Sequence, residues 1–390
     1  MKRLSLRYYL FVLFSSVAFE RAIFVLYLNE QGINADQIAV LQISLFVSHM
    51  ISEVPTGWFG DRFGKKASVI TGILSMALAI FMQYATTQHF DLLITSFILH
   101  GVSFAFISGS SSALLYENLN QLGAKDTYLG IASRARLLAS VSLGGSMFLG
   151  GYIKLISWQW VYFSSVGFLL LSLIPILFLK EFPIEENNAE DKTKLTFTSE
   201  VFSFLPIALP IALLHSAITP FFVYGQTLFD DLGIAIFLIS SFIAITEITG
   251  SFLAIYISKK LNSVSLNVVT QFFAVLLALC VLSPLSNMIW LIGLGYFIAN
   301  LLGLSILNLS ENFFQRQIKN DKNRAALLSS ISFLDSICIG LGYAFFGFFA
   351  SDRSMANTVV LSAVFPAFAF LIASAVFFRG KSTASNSQAN

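Results

Sequence analysis

Charged residues are scarce in this sequence, and their scarcity excludes a water-soluble protein. Of its 390 residues, 11% are charged and 56% are hydrophobic, and the mean hydropathy is +0.78. Soluble domains usually contain about 25% charged residues, so most of this chain would have no stable place in water. The net charge of +2 gives no indication of a nucleic-acid partner, and we predict none.

The sequence also lacks the residues of most catalytic and metal sites. Its two cysteines, Cys280 and Cys338, both lie in apolar runs, where cysteine behaves as a small apolar residue. The chain contains no Walker loop, no His-Glu-x-x-His motif and no Gly-x-Ser-x-Gly elbow. We therefore predict no metal, no cofactor and no enzymatic activity, and we keep a membrane enzyme or a receptor as a remote alternative.

Long apolar runs, separated by short polar clusters, fill the chain. A bilayer core of roughly 30 Å requires about 20 apolar residues per helix, and unalternating runs of this length favour helices over strands. The runs predict an all-α membrane protein with twelve transmembrane helices, here called spans 1 to 12, at residues 8–29, 36–58, 67–87, 91–118, 128–153, 160–179, 202–228, 232–257, 264–283, 286–313, 324–350 and 355–378.

The basic residues predict the orientation of these spans. With a cytoplasmic amino terminus, 18 of the 23 lysines and arginines fall on the cytoplasmic side, and only Lys154 and Arg353 fall outside. The remaining three, Arg21, Arg134 and Arg136, lie within spans. Because cytoplasmic loops are enriched in Lys and Arg, we predict a multi-pass protein of the cell inner membrane with both termini in the cytoplasm.

The two halves of the chain are related by an internal repeat. A shift of 194 residues aligns matching residues in both halves: Arg21 with His215, Asp36 with Asp230, Glu53 with Glu247, Lys65 and Lys66 with Lys259 and Lys260, Gly101 with Gly295, Gly109 with Gly303, Glu117 and Asn118 with Glu311 and Asn312, and Lys125 with Lys319. Charged residues are rare here, so their coincidence indicates a duplication. We expect substrate sites where such repeats face each other.

The one long hydrophilic stretch between spans divides the chain in the middle. It covers residues 181–200 and separates six spans from six. We predict an N-terminal six-helix bundle at 1–180, a cytoplasmic linker at 181–200, a C-terminal six-helix bundle at 201–380 and a polar cytoplasmic tail at 381–390.

A polar motif lies between spans 2 and 3, with the sequence Gly57, Trp58, Phe59, Gly60, Asp61, Arg62, Phe63, Gly64, Lys65, Lys66. It resembles the signature loop of the major facilitator superfamily (MFS), whose glycines would permit a tight reversal. The resemblance implies the MFS fold, two pseudo-symmetric six-helix halves, and alternating access by rocking of the halves. It also implies that Asp61 lies near the cytoplasmic start of span 11 in the outward-open state.

Two features depart from the proton-linked drug exporters of that superfamily. Those exporters usually have an arginine in span 4 four residues before a glycine, whereas Phe97 precedes Gly101 here. Their span 5 also tends to contain a Gly-Pro pair, and this span 5 contains no proline. Export and import therefore both stay open.

Several ionisable and polar residues lie within spans, where a charge costs on the order of 3 kcal/mol on insertion scales. We predict a substrate and proton site formed by Glu20, Arg21, His215, Asp335, Asn300 and Asn308. Glu20 and Asp335 are the candidate proton carriers. The alternative for Glu20 and Arg21 is a structural ion pair between helices, and for Asp335 it is permanent neutralisation by span 1.

A second charged group lies near the cytoplasmic ends of the spans: Glu53, Asp61, Arg62, Lys65, Glu117, Arg134, Arg136, Glu247 and Glu311. Carboxylates and cations at one end of a bundle can pair when the inner ends close, so we predict a cytoplasmic gate. Permanent bracing, with the arginines extending to the membrane surface, is the alternative.

These features together predict a monomeric secondary transporter whose partners are a small-molecule substrate, protons and the lipid bilayer. We expect rocker-switch alternating access and proton-coupled export of a small amphipathic or partly charged solute. The alternative is a proton-coupled importer of an anionic or zwitterionic metabolite.

Overall fold

The computed structural model describes residues 1–181, 193–261, 266–286, 288–317, 324–350 and 353–387. Within these ranges the chain is helical and has no β-strand, which confirms the all-α fold class. Most of the predicted linker at 181–200 and of the tail at 381–390 lies outside the described residues or side chains.

Fourteen α-helices occupy the described ranges. They are α1 (Lys2–Ser15), α2 (Phe24–Glu30), α3 (Ala35–Phe63), α4 (Lys65–Ala85), α5 (Phe90–Gln121), α6 (Tyr128–Lys154), α7 (Trp158–Leu171), α8 (Leu173–Leu177), α9 (Thr193–Asp231), α10 (Ile236–Leu261), α11 (Leu266–Leu282), α12 (Ile289–Gln317), α13 (Arg324–Ala350) and α14 (Met355–Ser387). Each predicted span contains a helix, and spans 1 and 6 contain two each.

Eight stretches among the described residues are long and apolar enough to cross a membrane by length and composition. They lie in α3, α4, α5, α7 with α8, α9, α10, α13 and α14. Long helices of this kind confirm a multi-pass membrane protein. The full count of twelve stays a prediction.

The chain forms two compact units. Unit 1 contains residues 1–187 and 233–249, and unit 2 contains residues 188–232 and 250–390. The first part of α10 therefore packs with the first unit.

In unit 1, α5 packs along both α3 and α4. Small polar residues line the contact with α4, where the Ser110 hydroxyl donates to Ser68 Oγ at 2.8 Å and Ser68 Oγ donates to the Phe106 carbonyl at 3.0 Å. Small residues at helix interfaces are typical of membrane proteins, because they let backbones approach and hydrogen bonds form.

In unit 2, α9 packs against α13 and α14 and also contacts α12. Tyr224 of α9 stacks on Phe346 of α13 with ring centroids 3.6 Å apart. Pro210 and Pro220 are buried within α9. The helix is continuous from Thr193 to Asp231 despite these prolines.

Span 1 differs from the prediction. A continuous helix over 8–29 was expected, but α1 ends at Ser15 and α2 begins at Phe24, so the intervening residues 16–23 are not helical. The prediction was wrong because it used hydrophobicity alone. Side-chain hydroxyls from other helices accept hydrogen bonds from backbone N–H groups in this segment, and hydrophobicity does not predict them.

The signature motif is also mostly helical, although a loop was predicted there. The helix α3 continues through the motif to Phe63, and α4 begins at Lys65, so the reversal takes place at Gly64 alone. Gly64 has φ of 101°, a conformation that glycine adopts at little cost. One glycine, rather than a glycine-rich loop, makes the turn.

Candidate functional site

His215 and Asp335, two predicted site residues, lie together in unit 2. Nδ1 of His215, on α9, lies 3.1 Å from Oδ1 and 3.0 Å from Oδ2 of Asp335, on α13. Their side chains are 20% and 26% exposed. An imidazole and a carboxylate at this distance share a proton or form an ion pair, and both groups remain accessible to a third partner.

Small residues bring α9 and α13 close enough for this pair. The Ser216 hydroxyl donates to the Cys338 carbonyl at 2.6 Å. A Cβ at Gly342 would lie 2.7 Å from Ser216 Oγ, so a larger residue there would push the helices apart. The Thr219 hydroxyl donates to the His215 carbonyl at 2.7 Å, one turn earlier on the same helix.

Glu20 lies in unit 1, in the break between α1 and α2, and is 6% exposed. The Ser165 hydroxyl, on α7, is hydrogen-bonded to the Glu20 carboxylate. The same Oγ accepts from the Phe19 N–H at 3.0 Å, and Ser146 Oγ, on α6, accepts from the Ala18 N–H at 3.0 Å. The break is therefore supported by hydroxyls that take over backbone donors released from the helix.

Arg21 is exposed on unit 1, although it is adjacent to the buried Glu20. Its guanidinium lies 6.0 Å from the centroid of the Phe24 ring. Among the described residues, no carboxylate lies within 4 Å of that guanidinium. The charge of Arg21 acts on the neighbouring Glu20 carboxylate, and the structural alternative for these two residues stays a prediction.

The two asparagines of the predicted site differ in what the structure describes. Asn300, on α12, is 2% exposed, so it lies in the interior of unit 2. The side chain of Asn308 lies outside the described residues.

Three residues predicted for the cytoplasmic gate, Asp61, Lys65 and Glu117, interact in unit 1. Lys65 Nζ lies 2.5 Å from Oδ1 of Asp61, and both Lys65 and Asp61 act electrostatically on Glu117. Next to them, the Lys66 N–H donates to Oε1 of Glu181 at 2.9 Å, at the amino terminus of α4. The signature motif is thus held against the start of the predicted linker.

The other gate residues lie on α3, α6 and α10 or have side chains outside the described residues. Glu53 Oε1 lies 3.9 Å from His49 Nε2 on the same helix, and Arg62 lies over the Trp58 ring at 5.1 Å. Arg134 and Arg136 are exposed on α6, and Glu247 is half-buried on α10. The side chain of Glu311 lies outside the described residues.

The sequence interpretation missed the hydroxyls that surround the break in span 1. Ser142, Ser146 and Gly150 recur every four residues on α6, and this spacing places them on one helix face. Ser142 Oγ donates to the Leu13 carbonyl at 2.6 Å, and a Cβ at Gly150 would overlap the Phe19 backbone. This four-residue spacing could have predicted that α6 packs closely against another helix. No comparable sequence pattern predicts the role of Ser165.

A polar cluster at the far end of α2 was also missed. Glu30 Oε1 lies 3.1 Å from Lys154 Nζ, and the Trp158 indole N–H donates to Glu30 Oε2 at 2.6 Å. The Tyr27 hydroxyl donates to the Tyr84 carbonyl at 2.8 Å. These contacts hold α2 against α4, α6 and α7.

The fold defines a broad class, a polytopic α-helical membrane protein. A family model described as Major Facilitator Superfamily matches residues 9–315. The chain belongs to the Major Facilitator Superfamily. The match confirms the family that the signature motif predicted. Members of this superfamily transport small molecules, which confirms the prediction that the chain is a transporter and not an enzyme.

Curated relatives are distant in sequence. Multidrug resistance protein 1 of Bacillus subtilis is 24% identical over 195 residues, covering 50% of this chain and 49% of the relative. The chloramphenicol resistance protein CraA of Acinetobacter baumannii is 27% identical over 169 residues, 40% of this chain and 38% of CraA. The multidrug efflux pump SdrM of Staphylococcus aureus is 22% identical over 321 residues, which cover 80% of this chain and 69% of SdrM. The chain spans half or less of the first two relatives.

Solved structures share the fold. The nucleoside transporter NupG superposes with a TM-score of 0.72 at 15% identity, covering 95% of this chain and 98% of NupG. A bacterial homologue of the human lysosomal transporter Spinster has a TM-score of 0.69 at 14% identity, covering 98% of this chain and 96% of the homologue. At these identities the likeness concerns the fold alone.

Proposed function

We propose that the chain is a proton-coupled secondary transporter that exports a small amphipathic or partly charged solute across the cell inner membrane. The observation that supports it best is the pair formed by His215 and Asp335, with Nδ1 3.0 Å from Oδ2 and both side chains partly accessible. A charged group within a span is costly and is usually retained for transport or proton transfer.

The pair suits proton exchange for a chemical reason. Imidazole changes its charge near neutral pH, and a carboxylate in contact with it accepts or returns the proton as the surroundings change. Glu20 is a second candidate, since its buried carboxyl is hydrogen-bonded to the Ser165 hydroxyl, which serves either the protonated or the ionised form.

Export is favoured by the relatives, which are named as multidrug resistance, chloramphenicol resistance and multidrug efflux proteins. Import of an anionic or zwitterionic solute is the second candidate, and the exposed guanidinium of Arg21 favours it. The two candidates share the proton site and differ in the direction of coupling.

We further propose that a monomer with both termini in the cytoplasm alternates access by rocking of its halves, 1–180 and 201–380. In this scheme Asp61, Lys65 and Glu117 close the cytoplasmic end of the first half. The 2.5 Å contact between Asp61 and Lys65 supports their role as one electrostatic unit.

The test is solute-dependent proton movement in proteoliposomes that enclose a pH indicator. For vesicles with an acidic lumen, an antiporter will raise the luminal pH faster when an external amphipathic solute is added, chloramphenicol being the first choice because of the relative named for it. For vesicles with no initial gradient, a symporter will instead lower the luminal pH when solute is added. No solute-dependent change in either preparation would contradict proton coupling.

A further inference from the structure

The single hydroxyl of Ser165 makes three hydrogen-bond contacts inside unit 1. Its Oγ accepts from the Phe19 N–H at 3.0 Å, and it is hydrogen-bonded to the Glu20 carboxylate. The same Oγ lies 3.2 Å from the carbonyl oxygen of Val161, one turn earlier on α7. Ser165 and Glu20 are both buried, so protein groups rather than bulk water are their partners.

These three contacts offer two acceptors for one hydrogen. A serine hydroxyl has one hydrogen to donate and two lone pairs that accept hydrogen bonds. The Phe19 N–H occupies one lone pair, so the second is left for another donor. The hydrogen itself has two acceptors within reach, the Glu20 carboxylate and the Val161 carbonyl.

The protonation state of Glu20 decides between the two acceptors. An ionised carboxylate can only accept, so the Ser165 hydroxyl then donates to Glu20. A protonated carboxyl donates its O–H to the second lone pair of Ser165, whose own hydrogen turns to the Val161 carbonyl. The added proton comes from water, and the O–H bond of Ser165 stays intact. The Phe19 N–H keeps its acceptor in both forms.

We propose that Ser165 is a positioning residue for reversible proton binding at Glu20, and that its hydroxyl switches from Glu20 to Val161 when the proton binds. The break in span 1 then keeps its hydrogen bonds in both protonation states. This inference rests on the proposed proton coupling and specifies a second proton site, in unit 1, beside the pair that His215 and Asp335 form in unit 2.

Two other ionisable groups act electrostatically on Glu20 among the described residues. They are Arg21, which is exposed and next in sequence, and Tyr162, which is buried one turn before Ser165 on α7. An arginine stays charged and a tyrosine stays neutral near neutral pH. Of the other helices packed on α1, α6 brings the neutral Ser146 hydroxyl to the break, and α8 contains no ionisable residue. We therefore assign proton exchange at this site to Glu20.

Ser146 provides a matched comparison within the same break. Its Oγ accepts from the Ala18 N–H at 3.0 Å and donates to the Leu143 carbonyl at 2.8 Å. Like Ser165, it binds one N–H of the break and one carbonyl of its own helix, but these two hydrogen bonds involve no carboxylate. Removal of either hydroxyl therefore disturbs the break, whereas only removal of Ser165 changes the partner of Glu20.

The test is infrared difference spectroscopy of the purified full-length protein as the pH is changed. A protonated carboxyl has its own C=O stretching band, which lies at lower frequency when the group is hydrogen-bonded. We expect a pH-dependent band that disappears in Glu20→Gln. The band should move to higher frequency in Ser165→Ala and should keep its position in Ser146→Ala. Ser165→Thr, which retains the hydroxyl, should also keep it.

Three results would overturn the inference. They are the absence of any band that depends on Glu20, an unchanged band position in Ser165→Ala, and equal shifts in Ser165→Ala and Ser146→Ala, which would assign the shift to the break itself. If Ser165→Ala does not fold, the unmodified protein decides. A Glu20 band at the frequency of a free carboxyl would then exclude the hydrogen bond to Ser165.

The outcome is separable from that of the proposed function, because the spectra require neither a solute nor a proton gradient. If solute-dependent proton movement persists while the Glu20 band is absent or insensitive to Ser165, the second proton site is wrong. The transport proposal then stands on His215 and Asp335. If the band behaves as expected but no solute moves protons, proton coupling is wrong and the switch at Ser165 stands.

Discussion

Spans 1 and 7 occupy equivalent positions in the repeat and behave in opposite ways. Span 1 has no proline or glycine between residues 16 and 23, and it is broken there. Span 7 contains Pro206, Pro210 and Pro220, and α9 runs through all three without interruption. Proline, the usual helix breaker, is therefore absent from the segment where span 1 is broken and present in the continuous helix α9.

Hydrogen-bond partners explain the difference. Backbone groups within a bilayer have no water to bind, so a break is stable only where the protein itself supplies partners. Ser146 and Ser165 supply them to the N–H groups of Ala18 and Phe19 in span 1. A proline in span 7 removes one N–H and leaves the other hydrogen bonds of the helix in place, so α9 stays continuous.

The first prediction removes the space that the break requires. Gly150→Val would place side-chain atoms on the Phe19 backbone, so it should lower the free energy of unfolding by about 3 kcal/mol. The matched control is Gly145→Ala on the same helix, where a Cβ meets nothing within 4 Å, and it should be neutral or stabilising. Thermal unfolding in detergent measures both, and equal shifts would contradict the packing argument.

The second prediction concerns the pair that His215 of span 7 forms with Asp335. Asp335→Asn should slow solute-dependent proton movement in proteoliposomes by roughly 100-fold, because the residue can no longer accept a proton. The control is Asp91→Asn, an exposed carboxylate in the first turn of α5. Unaltered proton-dependent transport in both Asp335→Asn and Glu20→Gln would remove the proposed proton sites.

The third prediction removes one hydroxyl at the break. Ser165→Ala would leave the buried Phe19 N–H without its acceptor, which should cost about 1–2 kcal/mol in the free energy of unfolding. Ser172→Ala, which deletes a buried hydroxyl that donates to a carbonyl three residues earlier, should cost less. If the two variants unfold at the same temperature, Ser165 is not what stabilises the break.

The fourth prediction tests span 7 and has the smallest expected effect. Pro220→Ala restores an N–H to a helix that is already continuous, so the free energy of unfolding should change by less than about 1 kcal/mol. Chemical denaturation in mixed micelles is a suitable measurement. A large stabilisation would indicate that Pro220 strains α9 for a functional reason.

The candidate site was only partly predictable. His215 was predicted because the repeat aligns it with Arg21, and Asp335 was predicted because it lies deep in an apolar span. Their contact was not predicted, since they are 120 residues apart in the sequence. Glu20 and Arg21 were both predicted as site residues, and the structure buries Glu20 and exposes Arg21, because neighbours in an irregular segment face different surroundings. The contact of Gln83 Nε2 with His100 Nδ1, at 3.0 Å, also had no sequence signal.

The sequence by itself determined that the chain is a helical membrane protein of the Major Facilitator Superfamily, because hydrophobicity and a short motif are properties of consecutive residues. Only the tertiary structure decided where span 1 breaks and which polar groups meet. Those outcomes depend on partners from distant segments, such as Ser165 for Phe19 and Asp335 for His215, and local sequence does not encode which distant helix will provide them.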